Sequence, residues 1–228
     1  MEDDLWECRK RAISALDTEA VEARVLLDDL FGVIDAAAEA MHNVDSPFGR
    51  VTALIIVKAR SLAQACYSLA LDGLAQEAGA LFRPLLECLE LLEYLRLDPA
   101  RAQEALDGRL PSAGTVAKRI DGQFKDVRDY LNEHASHLSV SPESMRHLIR
   151  LADADKQVAL QLQQPFDLTV LLKNLGSLFA VSAMVGIEAA NCAAVAQCPM
   201  ALTMTERIMQ IRDRGFRLFK GRAGGGEA

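Results

Sequence analysis

The sequence predicts an all-α fold: a bundle of about six helices around one apolar helix, with a small β-hairpin as the single non-helical element. Three observations lead there. Half of the 228 residues are apolar and only 5% are aromatic, with Ala and Leu dominant, a composition that favours helices over sheets. Apolar positions recur every three or four residues along most of the chain, as one face of a helix requires. Residues 168–197 read LTVLLKNLGSLFAVSAMVGIEAANCAAVAQ, with Lys173 and Glu188 as the charges. A helix apolar nearly all round has to be enclosed by other helices or by lipid.

Lipid is the poorer expectation for that stretch. Its longest charge-free run, residues 174–187, is 14 residues, whereas a spanning helix needs about 20. Glu188 would then lie within the span at a cost of roughly 2.5–3.5 kcal/mol. Small residues at Gly176, Ala180, Ala183, Gly186, Ala190 and Ala193 line one face and admit a closely packed neighbour. The reading is a buried central helix with no membrane partner.

Residues 3–42 form one long helix or two, with Leu5, Ala12, Leu16, Ala23, Leu27, Leu30, Ile34 and Met41 inward and acids outward. The stretch NVDSPFG gathers turn formers. A second helix spans residues 50–71 and ends at Asp72 and Gly73, where glycine can take a positive φ. A third spans 74–97, with a kink or restart between Gly79 and Pro84 because proline removes a backbone donor. On it Leu85, Leu89, Leu92 and Leu95 form the buried stripe, and Arg83, Glu87, Glu90 and Tyr94 share the adjoining face. Asp98 and Pro99 cap a short helix over 99–106. A fifth helix covers 115–136 through Val116, Ile120, Phe124, Val127, Leu131 and Ala135.

The stretch 147–163 alternates, with Val158, Leu160 and Leu162 on one side, and reads as a β-hairpin; an amphipathic helix is the alternative. The central helix ends before Pro199. A last helix over 200–219 turns Met204, Ile208, Ile211 and Leu218 inward, and residues 221–228 form a disordered tail. The expectation is one helical domain over 1–228: an acidic helical region to 45, a core over 46–198, a basic helix over 199–220, and the tail.

The net charge of −7 is uneven. Residues 1–45 carry twelve acidic against four basic side chains, and the rest of the chain is nearly balanced. That excludes a chain that binds nucleic acid over its whole surface and leaves local patches. Arg207, Arg212, Arg214 and Arg217 make one such patch, suited to RNA, to acidic lipid or to the acidic N-terminal helix. Five scattered cysteines without a C-x-x-C pair read as reduced thiols of a cytoplasmic protein. The N-terminus MEDDLWE lacks the apolar stretch of a secretory signal. Nucleotide-binding glycine motifs, a G-x-S-x-G elbow and a helix-turn-helix reader are missing, which disfavours those enzymes and sequence-specific DNA binding.

One cluster carries chemistry. Arg128, Asp129, Tyr130, Glu133, His134 and His137 crowd the end of the fifth helix. Arginine, five residues, then histidine, with a polar residue directly after the arginine, resembles the R-x4-6-H motif of the HEPN superfamily, helical proteins that include metal-independent RNA endonucleases. The wider pattern is similar to a group of uncharacterised bacterial helical proteins with an early R-x-L-L-E element, here Arg83, Leu85, Leu86 and Glu87. The resemblance covers roughly residues 50–198. It implies that His134 moves a proton at a ribose hydroxyl or leaving oxygen while Arg128 stabilises charge on the phosphate. His137 is the rival histidine, and Arg83, Glu87, Tyr130 and Glu133 are supporting polar groups.

Six residues turn a helix through about 600°, so Arg128 and His134 stand about 120° apart, flanking Val127 and Leu131. A homodimer packed on that stripe would bring Arg128 of one subunit toward His134 of the other. Against this stands the structural alternative, in which Arg128 pairs with Asp129, Asn132 or a neighbouring helix and the histidines complement a helix C-terminus. Arg83 and Glu87 likewise suit an i, i+4 pair. Glu133, His134 and His137, Glu143 with His147, or Glu87 with Glu90 could ligate an ion. The Glu-x-x-His on each of two helices that helical di-iron sites require is missing, so no metal and no cofactor are expected. The reading is an RNA endonuclease of HEPN type or an RNA-binding relative in stress or defence. The alternative is a non-catalytic helical module with an unidentified protein partner.

Overall fold

The structure, a computed structural model, describes residues 6–122, 124–134, 149–151, 158–160 and 166–223; side chains are described within 6–122, 124–131 and 166–219. Among the described residues nine helices follow in order: α1 Glu7–Thr18, α2 Val21–His42, α3 Pro47–Leu71, α4 Ala75–Leu97, α5 Arg101–Leu106, α6 Ala113–Arg119, α7 Lys125–His134, α8 Leu168–Val195 and α9 Ala201–Ala223. The all-α expectation holds. The count of about six does not: residues 3–42, read as one helix or two, hold α1 and α2, and the expected helix over 115–136 is divided into α6 and α7.

The first break is at Ala20, where the backbone leaves the helical region at φ −132° and ψ 35°, just after Thr18 Oγ1 donates back to the Ser14 carbonyl at 2.8 Å. The second divides the expected 115–136 helix. Asp121 takes φ 54°, and the Gly122 N–H donates to the Ala117 carbonyl at 2.7 Å, which closes α6 in a Schellman turn. A Cβ on Gly122 would lie 2.8 Å from that carbonyl oxygen, so the close approach requires glycine. The same closure ends α3 at Gly73, α5 at Gly108 and α8 at Gln197.

Pro84 does not restart its helix. α4 continues from Ala75 to Leu97, since one lost backbone bond is offset by the buried anchors Ala78, Leu85 and Leu86 on either side. Starts are capped where the sequence offers a cap. Ser46 Oγ accepts from Gly49 N–H at 3.0 Å with Pro47 opening α3, and Asp167 Oδ1 accepts from Thr169 and Val170 N–H at 2.7 and 3.1 Å at the head of α8. Helix α9 reaches Ala223, three residues into the expected tail.

α8 is the hub, packed against α2, α3, α4 and α9, with α1 touching it more lightly. Its Leu175, Leu178 and Phe179 meet a continuous core that includes Leu30, Ile34, Ile56, Leu85, Leu92 and Ile208. The small residues of α8 receive side chains rather than a bare backbone: Gly176 faces the Phe219 ring and Gly186 faces Ile208. Around this core α5 lies on α3, while α6 and α7 lie on α4. α1 is tied to the end of α3 by Arg9, whose guanidinium donates to both carboxylate oxygens of Asp72 at 2.6 Å and to Ser68 Oγ at 2.7 Å. Leu5 lies outside the described residues. Strands β1 Ile149–Leu151 and β2 Val158–Leu160 pair antiparallel, with Ile149 opposite Leu160 and Leu151 opposite Val158. The remainder of 147–163 lies outside the described residues.

Two glycines give opposite expectations for the same change. A Cβ on Gly215 of α9 would fall 2.1 Å from Phe179 Cζ, in a ring already packed on Phe219 with centroids 5.5 Å apart. Gly215→Ala should therefore cost about 1–3 kcal/mol. Gly32, exposed within α2, has nothing within 4 Å of its would-be Cβ. Gly32→Ala should stabilise by about 0.5–1 kcal/mol through helix propensity. Urea denaturation midpoints moving in opposite directions check the pair.

Candidate functional site

The polar face of α4 is the place where charge enters the bundle. Arg83, Glu87, Glu90 and Tyr94 stand at spacings of four, three and four, so they share one side of the helix. The face begins at the surface and runs inward. Arg83 Nε lies 3.2 Å from Glu87 Oε1, both partly exposed, an ordinary i, i+4 pair. Glu90 is 1% exposed, and its Oε2 accepts from Arg128 Nη1 on α7 at 2.7 Å, with Arg128 itself 16% exposed. Glu90 Oε1 is buried without a hydrogen-bond partner.

One turn further, Tyr94 is fully enclosed. Its hydroxyl accepts from Arg119 Nη1 of α6 at 2.7 Å, its carbonyl accepts from Arg101 Nη1 at 2.8 Å, and the Arg101 guanidinium lies 4.2 Å from its ring centroid. On the neighbouring side of α4, Arg96 Nε donates to Glu188 Oε1 of α8, and Asn191 Nδ2 donates to Glu188 Oε2 at 3.3 Å. Glu93 completes this second cluster, 3.9 Å from Arg96.

These surroundings move the carboxyl groups. Burial pushes Glu90 above the usual carboxyl range; Arg128 opposes the shift without cancelling it, and Glu87 and Glu93 add to it. Burial also raises Glu93, helped by Glu188 and opposed by Arg96. The thiols are inert for the same reason. Burial pushes Cys66 and Cys192 up to about 12 and Cys88 up to about 11, so no thiolate nucleophile forms there near neutral pH.

The cluster read from the sequence is divided by the fold. Arg128 points into the bundle and pairs with Glu90 on the neighbouring helix α4, as the structural alternative allows. Leu131 is buried beside it, while Val127 is 46% exposed, so α4 covers only part of the Val127–Leu131 stripe expected as a dimer face. Tyr130 is 61% exposed. His134 is the last residue of α7, but its side chain and that of Glu133 lie outside the described residues, as do His137, Glu143 and His147. In the basic patch, Arg207 and Arg214 lie 3.8 and 4.0 Å from Asp29 of α2, Arg212 bonds its neighbour Asp213, and Arg217 is exposed. Among the described residues no group of three or more His, Cys, Asp or Glu is placed to hold a metal ion.

Sequence reasoning missed the partners of the buried acids. Glu90 and Tyr94 were visible as neighbours on one face, but Arg128, Arg119 and Arg96–Glu188 are joined across 38, 25 and 92 residues. Glu188 alone gave a signal, since a carboxylate in an apolar helix demands a cation. A separate cavity of about 570 Å³ opens at one end of the bundle between Phe48, Pro99, Gln103 and Val195, and no charged side chain lines it. No protein family, curated protein or solved structure matches the chain.

Removing one partner of the Glu90 pair should leave an uncompensated buried charge. Arg128→Ala is expected to cost about 3–5 kcal/mol. Adding Glu90→Gln to that variant should recover a substantial part of the loss. A double-mutant cycle in urea denaturation measures both.

Proposed function

We propose that the chain is a non-catalytic helical module whose partner is another protein. The direction of Arg128 carries this reading: its guanidinium is engaged by the carboxylate of Glu90 within the bundle. To stabilise charge on a phosphate it would have to leave that carboxylate, which itself repels an anion. The basic patch supports the same choice. Two of its arginines face Asp29, so part of the charge that RNA would need is used within the chain. Leu54, 68% exposed on α3 with Val57 three residues on, and Leu202, 71% exposed on α9 with Phe216 farther along that helix, supply apolar surface for a protein contact.

α3 and α8 are both long and apolar enough, by length and composition, to cross a membrane. We read them as core helices of a bundle in water. α8 holds an ion-paired Glu188 and is surrounded by helices, and the open side of α3 presents Lys58, Ser61 and Gln64, which lipid would not solvate.

The test is incubation of the purified chain with mixed single-stranded RNA in EDTA, beside Arg128→Ala, His134→Ala and His137→Ala. The module reading expects no cleavage above the level of the variants. Cleavage by the unaltered chain that is lost in a folded His134→Ala or His137→Ala, with folding judged by circular dichroism, would replace it with the HEPN-type RNA endonuclease.

A further inference from the structure

The cavity of about 570 Å³ at one end of the bundle is formed where three connections meet. The turn from α2 to α3 supplies Val44, Pro47 and Phe48, the turn from α4 to α5 supplies Pro99 and Ala100, and the end of α8 supplies Val195. Phe48 is 6% exposed and Val195 is 44% exposed, so the bowl has a buried floor and an open rim. Its volume and apolar lining fall in the range of small-molecule sites, about 300–1,000 Å³. Its shape is built in. Two prolines fix the backbone in two of its walls, and Gly49 lets the first turn close on α3, since a Cβ there would lie 2.5 Å from the Val44 carbonyl oxygen.

Charge decides the class of ligand. Four ionised side chains stand close to lining residues in sequence, and they neutralise one another in pairs: Arg50 Nη1 lies 3.7 Å from Asp45 Oδ1, and Arg101 Nε lies 3.3 Å from Asp98 Oδ2. None of the four lines the cavity. Two uncharged polar side chains do line it, and both are already oriented. Ser46 Oγ accepts from Gly49 N–H at 3.0 Å, which leaves its O–H to donate; Gln103 Nε2 donates to Asp107 Oδ1 at 2.8 Å, which leaves Oε1 to accept. α3 begins and α8 ends at this cavity, so partial charges of opposite sign face it and favour neither an anion nor a cation.

We propose that this cavity binds a neutral, largely apolar small molecule that carries a hydrogen-bond donor and an acceptor. Its apolar body covers Phe48 and Val195, its acceptor meets the Ser46 hydroxyl and its donor meets Gln103 Oε1. A charged ligand is selected against, because its charge would lose water and find no counter-charge in the lining. The inference goes beyond the module reading and is independent of it, since neither Arg128 nor the basic patch of α9 takes part.

Titration of the full chain with prodan, a neutral naphthyl ketone whose emission moves to the blue in apolar surroundings, tests this. Saturable binding with a Kd on the order of 10 μM is expected for an open bowl. Ala100→Trp, which fills the bowl from an exposed position, should weaken binding about tenfold or more and leave the urea midpoint unchanged. Leu202→Ser, at an exposed apolar side chain of α9, should leave the affinity unchanged. The anion anilinonaphthalene sulfonate should bind about tenfold more weakly than prodan, or less well still. If Ala100→Trp lowers the urea midpoint, Gln103→Trp, exposed on the same rim, takes its place and must give the same loss. No saturable binding of prodan overturns the proposal, whether the bowl stays empty or takes a side chain of a protein partner. So does an affinity that survives filling of the bowl, a loss of equal size in Leu202→Ser, or tighter binding of the anion.

Discussion

A carboxylate in the middle of α8 constrains how the bundle is assembled. Glu188 lies among apolar side chains where an unpaired charge would cost several kcal/mol, and Arg96 of α4 reaches it across the helix interface. Asn191 occupies its second oxygen from the same helix. Apolar packing between two helices tolerates sliding, because leucines can exchange neighbours at little cost. An ion pair does not. Sliding α4 by one turn, about 5.4 Å, would carry Arg96 away from Glu188 and strand both charges. The register of α4 on α8 is therefore fixed by charge, and α3, α6 and α7, which pack on α4, inherit that register.

The neighbouring flank of α4 follows the same logic with a different result. Tyr94 and Glu90 are enclosed by arginines arriving from α5, α6 and α7, so each small helix brings a cation to a polar group of the long one. Tyr94 is satisfied on its hydroxyl and its carbonyl. Glu90 is satisfied on one oxygen only. Glu188, held from two sides, belongs to the fixed core, whereas Glu90 carries the strain of incomplete pairing at the edge of the bundle.

The helical class and the inward faces were legible because 3.6-residue periodicity is written locally. Ala12, Leu16, Leu27, Leu30, Ile34 and Met41 are all buried where the spacing puts them. The broken helices were harder to read. Asp121 at a positive φ does what glycine usually does at a helix end, and the glycine beside it serves the close approach instead, so the pair resembled two residues inside a helix. At Pro84 the restart that the sequence allowed does not occur, since the burial that holds α4 together around it is tertiary. For the site, the sequence placed Glu90 and Tyr94 on one face but could not name their partners, which lie tens of residues away. It left Arg128 open between a free cation and a partner on a neighbouring helix, because the acid that engages it lies 38 residues away.

The charge asymmetry of the chain illustrates the same limit. Read along the sequence, an acidic first fifth and an arginine-rich last helix look like two surfaces with separate partners. In the fold α9 packs on α2, and Arg207 and Arg214 stand on either side of Asp29. Exposed pairs of this length contribute little stability each, about 0–1 kcal/mol. Their larger effect is on recognition, because each arginine drawn toward a carboxylate reduces the field available to a polyanion. The same contact leaves Leu202 and Phe216 of α9 open to solvent. The last helix thus offers an approaching molecule apolar side chains set among partly neutralised charges, a surface better matched to another protein than to a phosphate backbone.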